Sequence, residues 1–255
     1  MRNIHLNEKE IIAKSKVCLP LDDLNTLDEV KERVEELSPV VGMFKIGKEL
    51  FTWFGPEAIK LVQSYGADVF YDSKYCDIPN TVRGAAYAAT QLGVTIFNVH
   101  ALGGLEMMRA AVDGAREASG KYKIKMPKII GVTILTSINQ DIMNHELNIK
   151  GSIENQVLHL ANLARAAGLD GVVCSAMDLS FIKDKMPNDF MFVTPGIKGP
   201  RTEAGADQKR VLTPGEAIKN GASILVIGRT ITQQLTAEAR LQAGYDILND
   251  MARVM

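Results

Sequence analysis

The chain has 255 residues, 46% of them hydrophobic and 23% charged, with a formal net charge of −1. That length suits one large domain or two small ones. The charge balance excludes a global basic field, so no nucleic-acid partner is expected, and any phosphate must be held by local groups. Cys18, Cys76 and Cys174 are odd in number and far apart, which argues against a disulfide framework and fits a reducing cytoplasm. No apolar run reaches the ~18 residues of a membrane span, and "MRNIHLNEKEIIAKSK" lacks the apolar stretch of a signal peptide. With no CxxC or HExxH, no structural zinc site is expected.

In chain order, a short helix is expected near 7–15, then an apolar run, "VCLPLD" (17–22), reads as a first strand ending in Asp22 and Asp23. "DEVKERVEEL" (28–37) sets Val30, Val34 and Leu37 on one helical face. "VGMFKIG" (41–47) is a second strand carrying Lys45, and "PEAIKLVQSY" (56–65) opens a helix on Pro56. "DVFYDSK" (68–74) carries Asp72 and Lys74 at its end, and "NTVRGAAYAATQLG" (80–93) is a helix with Gly93 as its stop. "TIFNVHA" (95–101) ends in Asn98 and His100 and precedes the helix "LEMMRAAVDGAREAS". "KIIGVTIL" (128–135) leads to Thr136 and Ser137, and "IENQVLHLANLARAAG" follows as a helix. "GVVCSA" (171–176), a short connection near 178–186, and "FMFVTPGI" (190–197) come next. "KGPRTEAGADQKR" (198–210) reads as a mobile lid, "TPGEAIKNG" as a helix capped by Thr213, and "ASILVIGR" (222–229) as an eighth strand ending in Gly228 and Arg229. A last helix is expected from about 235 to 252.

Near-continuous Val, Ile and Leu marks strands covered on both faces. Eight such strands alternating with helices point to a single α/β domain, a (β/α)₈ (TIM) barrel over 1–255 with a lid at about 198–212. The alternative is a doubly wound sheet, which usually brings a Gly-rich first turn where this chain has "DDLNT". In a barrel the reactive groups sit at the C-terminal strand ends. Asp72 and Lys74 are two apart, so an extended strand directs them to one side. A network Lys45–Asp72–Lys74–Asp77, with Asp22 as a further partner, satisfies charges that would be costly alone. Such a network could also serve only to close the barrel top. The end of strand eight and the preceding loop suit a phosphate. His5, His145 and His159 read as surface or helix residues, and His100 as a structural hydrogen bonder.

"DSKYCDIPNT" (72–81) is similar to the Asp-x-Lys-x-x-Asp-Ile-Pro-Asn-Thr motif of the orotidine 5′-monophosphate decarboxylases of bacterial type. The resemblance extends through "FKIGKELFTWFGP", "NVHALGG", "VTILTS", "DGVVCSAMD", "VTPGIK", "DQKRVLTPGEAI" and "LVIGRTIT". It implies loss of CO₂ from orotidine 5′-monophosphate to give UMP, the last step of de novo pyrimidine synthesis, with no metal or organic cofactor. It also implies a cytoplasmic homodimer with shared active sites. Asp22 and Lys45 would grip ribose hydroxyls, Asp72 would face the substrate carboxylate, and Lys74 would deliver a proton to C6. Asp77, Ile78 and Thr81 would reach the partner subunit's site. Thr136 and Ser137 would contact the base edge, and Lys198, Gln208, Gly228 and Arg229 would hold the 5′-phosphate.

The chain departs from the family pattern in four places. Lys198 stands where Arg is usual, and a lysine cannot make the bidentate fork to phosphate, a task open to Arg201. The lid has one residue more, Leu102 replaces Ser, and Cys76 replaces His. Two other readings stand beside this one. Related sugar-phosphate lyases share Asp-x-Lys-x-x-Asp and use Mg²⁺, but "DIPNT" speaks against them. A non-catalytic binder on a barrel is the other.

Overall fold

The protein is described by a computed structural model over residues 5–199 and 212–255. Its eight strands are β1 (Val17–Pro20), β2 (Met43–Ile46), β3 (Asp68–Tyr75), β4 (Ile96–His100), β5 (Lys128–Val132), β6 (Gly171–Val173), β7 (Met191–Pro195) and β8 (Ile224–Val226). They follow one another in chain order around a closed barrel. The eight-fold alternation of apolar runs and helical patterns thus gives the (β/α)₈ class and not the doubly wound sheet. The helices among the described residues are α1 (Glu8–Ser15), α2 (Leu27–Leu37), α3 (Lys48–Phe54), α4 (Pro56–Ser64), α5 (Pro79–Gln91), α6 (Gly104–Tyr122), α7 (Ile153–Ala166), α8 (Ala176–Ile182), α9 (Pro214–Lys219), α10 (Arg229–Thr232) and α11 (Ala237–Ala252). None of them is long and apolar enough to cross a membrane.

The chain divides into two compact units, Met1–Asp72 with Thr194–Met255, and Ser73–Val193. In the first unit β1 pairs in parallel with β2 and β8, and β2 pairs with β3. Pro20 lies opposite Lys45, and Lys45 opposite Phe70. Leu19, Phe44, Ile46, Leu225 and Ile227 are wholly buried. Helix α2 buries Val30, Val34 and Leu37, the stripe its 3.6-residue period requires, and is started by a capping box between Thr26 and Glu29. Arg240 on α11 grips Glu36 on α2 with two bonds of 2.7 and 2.8 Å.

In the second unit β4, β5, β6 and β7 pair in parallel, with Asn98 opposite Ile130 and Ile130 opposite Gly171. Helices α5 and α6 approach closely at Gly114. A Cβ there would collide with the Arg83 carbonyl oxygen, so only glycine permits that crossing.

Most strands are shorter than the apolar runs that announced them. β1 stops at Pro20 and β5 at Val132, yet Leu21 and Ile134 beyond them remain buried. Among the described residues, elements without a helical counterpart in the sequence reading include α3, α8, α10 and a π-helical turn at Ile142–Glu146.

Candidate active site

The first unit brings three charged residues together. Lys45 lies on β2, Asp72 on β3, and Asp22 in the turn just after β1. The Lys45 Nζ is 3.1 Å from Asp22 Oδ1 and 3.3 Å from Asp72 Oδ2. The Lys45 and Asp72 side chains are 11% and 12% exposed, whereas Asp22 is 51% exposed. Burial pushes the Lys45 ammonium down, but Asp72 and Asp22 together outweigh it and hold its pKa above the usual lysine value. The cation is therefore locked in its charged form between one buried and one accessible carboxylate.

Two residues without a place in the expected site support this group. Gly47 follows the strand that carries Lys45, and a Cβ there would sit 3.1 Å from Asp22 Oδ1 and 3.2 Å from Lys45 Nζ. Its missing side chain is the space the ion pair occupies. Cys18 on β1 is completely buried. Burial pushes its thiol well above the ordinary range, with Lys45 opposing and Asp72 and Asp22 reinforcing. No side-chain motif marks either residue; only the register of β1 against β2 places them.

Lys74 follows Asp72 by two positions on β3, but its backbone is not that of an ordinary strand residue. Its φ is +48°, in the left-handed region that a side chain seldom adopts. The backbone at Lys74 thus departs from the extended conformation although β3 runs on to Tyr75. The Lys74 N–H donates to Asn98 Oδ1 at 2.6 Å, and the Ser73 hydroxyl donates to the Asn98 carbonyl oxygen at 2.8 Å. Lys74 itself is half-buried.

The segment after β3 is exposed from Cys76 through Thr81. Asp77 Oδ1 accepts the Ile78 N–H at 2.6 Å. Ile78, 66% exposed, is the N-cap of α5, with Pro79 in the first turn. Thr136 and Ser137 lie exposed in the turn after β5. In the first unit Lys198 is half-buried just after β7. The neighbouring Gly199 N–H donates to Thr230 Oγ1 at 3.2 Å, which ties that loop to the turn holding Gly228 and Arg229. A Cβ on Gly228 would approach Pro20 Cγ to 2.8 Å. Gln208, Arg201 and most of the expected lid lie outside the described residues. His145 is exposed beside Asp141 at 2.7 Å, in keeping with a surface residue.

These residues can be compared with known proteins. A profile of the Orotidine 5'-phosphate decarboxylase / HUMPS family matches residues 15–243. The chain is 46% identical over 248 residues to the orotidine 5'-phosphate decarboxylase of Syntrophus aciditrophicus (strain SB), covering 97% of this chain and 96% of that protein. It is likewise 46% identical over 220 residues to the orotidine 5'-phosphate decarboxylase of Geotalea daltonii, covering 86% of this chain and 90% of that one. The crystal structure of orotidine 5'-phosphate decarboxylase from Lactobacillus acidophilus superimposes with a TM-score of 0.80 at 35% identity, over 92% of this chain and 98% of that one. With its charged cluster on β2 and β3 and this likeness over nearly its whole length, the chain belongs to the Orotidine 5'-phosphate decarboxylase / HUMPS family.

Proposed function

We propose that this enzyme decarboxylates orotidine 5′-monophosphate to UMP, the final step of UMP biosynthesis, and that its own side chains supply all of the electrostatics. The observation that carries this reading is the Lys45 ammonium held at 3.1 and 3.3 Å from Asp22 and Asp72, on the strand adjacent to the one that presents Lys74.

In the reaction the bond from C6 to the carboxylate breaks and CO₂ leaves. The electron pair stays on C6 as a vinylic carbanion with little resonance stabilisation. Lys74 provides the positive charge that stabilises this carbanion and the proton that quenches it. The resulting amine regains its proton from solvent. Asp72 faces the substrate carboxylate. Two like charges ~4 Å apart cost roughly 4 kcal/mol at an effective dielectric of 20, about a thousandfold in rate. Repulsion is thus a minor share of a large acceleration, and binding of the remote phosphate contributes more.

Asp22 and Lys45 take the ribose hydroxyls, Thr136 and Ser137 the base edge, and Lys198, Gln208, Gly228 and Arg229 the 5′-phosphate. The exposed run Asp77, Ile78 and Thr81 extends into the site of a second copy, which makes the working form a homodimer, and the unpaired cysteines fit a reducing cytoplasm. Lys74→Ala is expected to lower turnover of orotidine 5′-monophosphate by at least about 10³-fold while UMP still binds, as read by absorbance assay and calorimetry. Near-normal turnover in that variant would end the proton-donor assignment.

A further inference from the structure

We infer that Asn98 is a positioning residue for Lys74: it fixes the backbone conformation from which the lysine reaches the reacting carbon. The inference rests on the reading of Lys74 as the proton donor and adds a residue that reading does not contain. Asn98 lies on β4, is 1% exposed, and receives bonds from two consecutive residues of β3. Ser73, itself 7% exposed, donates its hydroxyl to the Asn98 main-chain oxygen, and the Lys74 N–H donates to the Asn98 side chain. Ser73, Lys74 and Asn98 belong to the same compact unit.

The conformation these bonds hold is an unfavourable one. A residue with a Cβ is strained at φ +48°, and such strain persists only where surrounding contacts over-determine it. A lysine at the end of an ordinary strand would continue the pleat, and its ammonium, four carbons from the backbone, would swing with it. The Asn98 amide oxygen stabilises the turned conformation by accepting the N–H that the turn presents. A buried asparagine is also costly unless its polar groups are used, which is why an apolar residue would be the default in the middle of β4, where Phe97 and Val99 are completely buried.

The test uses the full chain with Asn98→Ala, Asn98→Thr, Asn98→Asp, Lys74→Ala and Lys74→Gly. For Asn98→Ala we expect kcat to fall at least about 100-fold, the scale of a small misplacement of a reacting group, with KM and the Kd for UMP within about threefold. Exchange of the UMP C6 hydrogen with deuterated solvent should fall in parallel with kcat. Asn98→Asp, which keeps an acceptor oxygen at that place, should recover most of the loss, and Asn98→Thr should not. A purely structural asparagine would lower the melting temperature and leave kcat and exchange unchanged well below it. If Lys74→Ala is inactive and the soluble Asn98 variants keep kcat within about threefold of the parent, the positioning role is overturned. If Lys74→Ala is active, the proton-donor reading falls instead. Should the Asn98 variants fail to fold, the melting temperatures of the two Lys74 variants decide. Lys74→Gly should melt above Lys74→Ala because glycine accepts the left-handed conformation, and a glycine variant melting no higher would overturn the inference.

Discussion

Lys45 concentrates the physical chemistry of this protein in one side chain. Burial alone would lower its pKa, and the two carboxylates at 3.1 and 3.3 Å outweigh that. A raised pKa makes its contribution to stability complete below the ordinary lysine value of about 10.4 and lost as the pH climbs through the raised value. Cys18 acts in the same direction but at lower pH. Its pKa is raised by burial, so the fold loses stability once the unfolded chain begins to release the thiol proton, near pH 8.5. Urea titrations between pH 8.5 and 10 should therefore show the unfolding free energy of the parent falling about 1.4 kcal/mol per pH unit faster than that of Cys18→Ala. Parallel pH profiles would contradict the burial argument. Gly47→Ala tests the space that the ion pair occupies. Because the added carbon would crowd Asp22 and Lys45, KM for orotidine 5′-monophosphate should rise roughly tenfold while the protein stays folded. An unchanged KM would mean that the pair can shift without consequence.

At the scale of elements, the Arg240–Glu36 pair joins the last helix to α2 across 204 positions of sequence. Both side chains are less than a fifth exposed, so this pair is not a solvated surface contact. Arg240→Ala should lower the unfolding free energy by about 2 kcal/mol. Arg240→Lys should recover less than half of it, because an ammonium cannot make both bonds at once; full recovery would show that charge alone matters. The elements the sequence revealed and those it concealed differ in a physical way. Helix α2 was legible because Val30, Val34 and Leu37 recur at the helical period, and the structure adds the Thr26–Glu29 cap. Helix α3 was not: it follows β2 directly, has only Gly47 as a cap, and buries Leu50 alone. The π-helical turn at Ile142–Glu146 depends on i→i+5 bonds, which leave no period in composition. Strand ends were overrun for another reason. Leu21, Ile134 and Ile227 stay buried past the strand ends, and the Leu21 and Ile227 N–H groups still donate to the Lys45 and Cys18 carbonyl oxygens at 3.0 and 2.9 Å, so hydrophobicity marks the core and overruns the regular ladder. Among the charged residues, the grouping of Lys45 with Asp22 and Asp72 follows from strand order. The backbone turn at Lys74 was hidden, because a left-handed φ at a lysine has no signature in the sequence.

For the whole molecule, the alternation of eight apolar runs with helical patterns, without the Gly-rich first turn of a doubly wound sheet, pointed to the closed barrel that the structure has. Function was legible through one short segment, "DSKYCDIPNT", and it is the same segment that leaves Ile78 66% exposed. If that segment completes a neighbour's site, inactive variants should rescue one another. Mixing Lys74→Ala with Asp77→Ala under conditions of subunit exchange should restore about a quarter of the parental activity, because half of the dimers are mixed and each then carries one intact site. Strictly additive, inactive mixtures would show that each copy works alone.

The central claim is that a lysine and its carboxylate neighbours perform this decarboxylation without help from a metal. Its most direct measurement is the absorbance change of orotidine 5′-monophosphate on addition of the purified protein, before and after exhaustive treatment with EDTA. The account predicts turnover to UMP at the same rate in both; no turnover, or turnover lost to EDTA and restored by Mg²⁺, would contradict it.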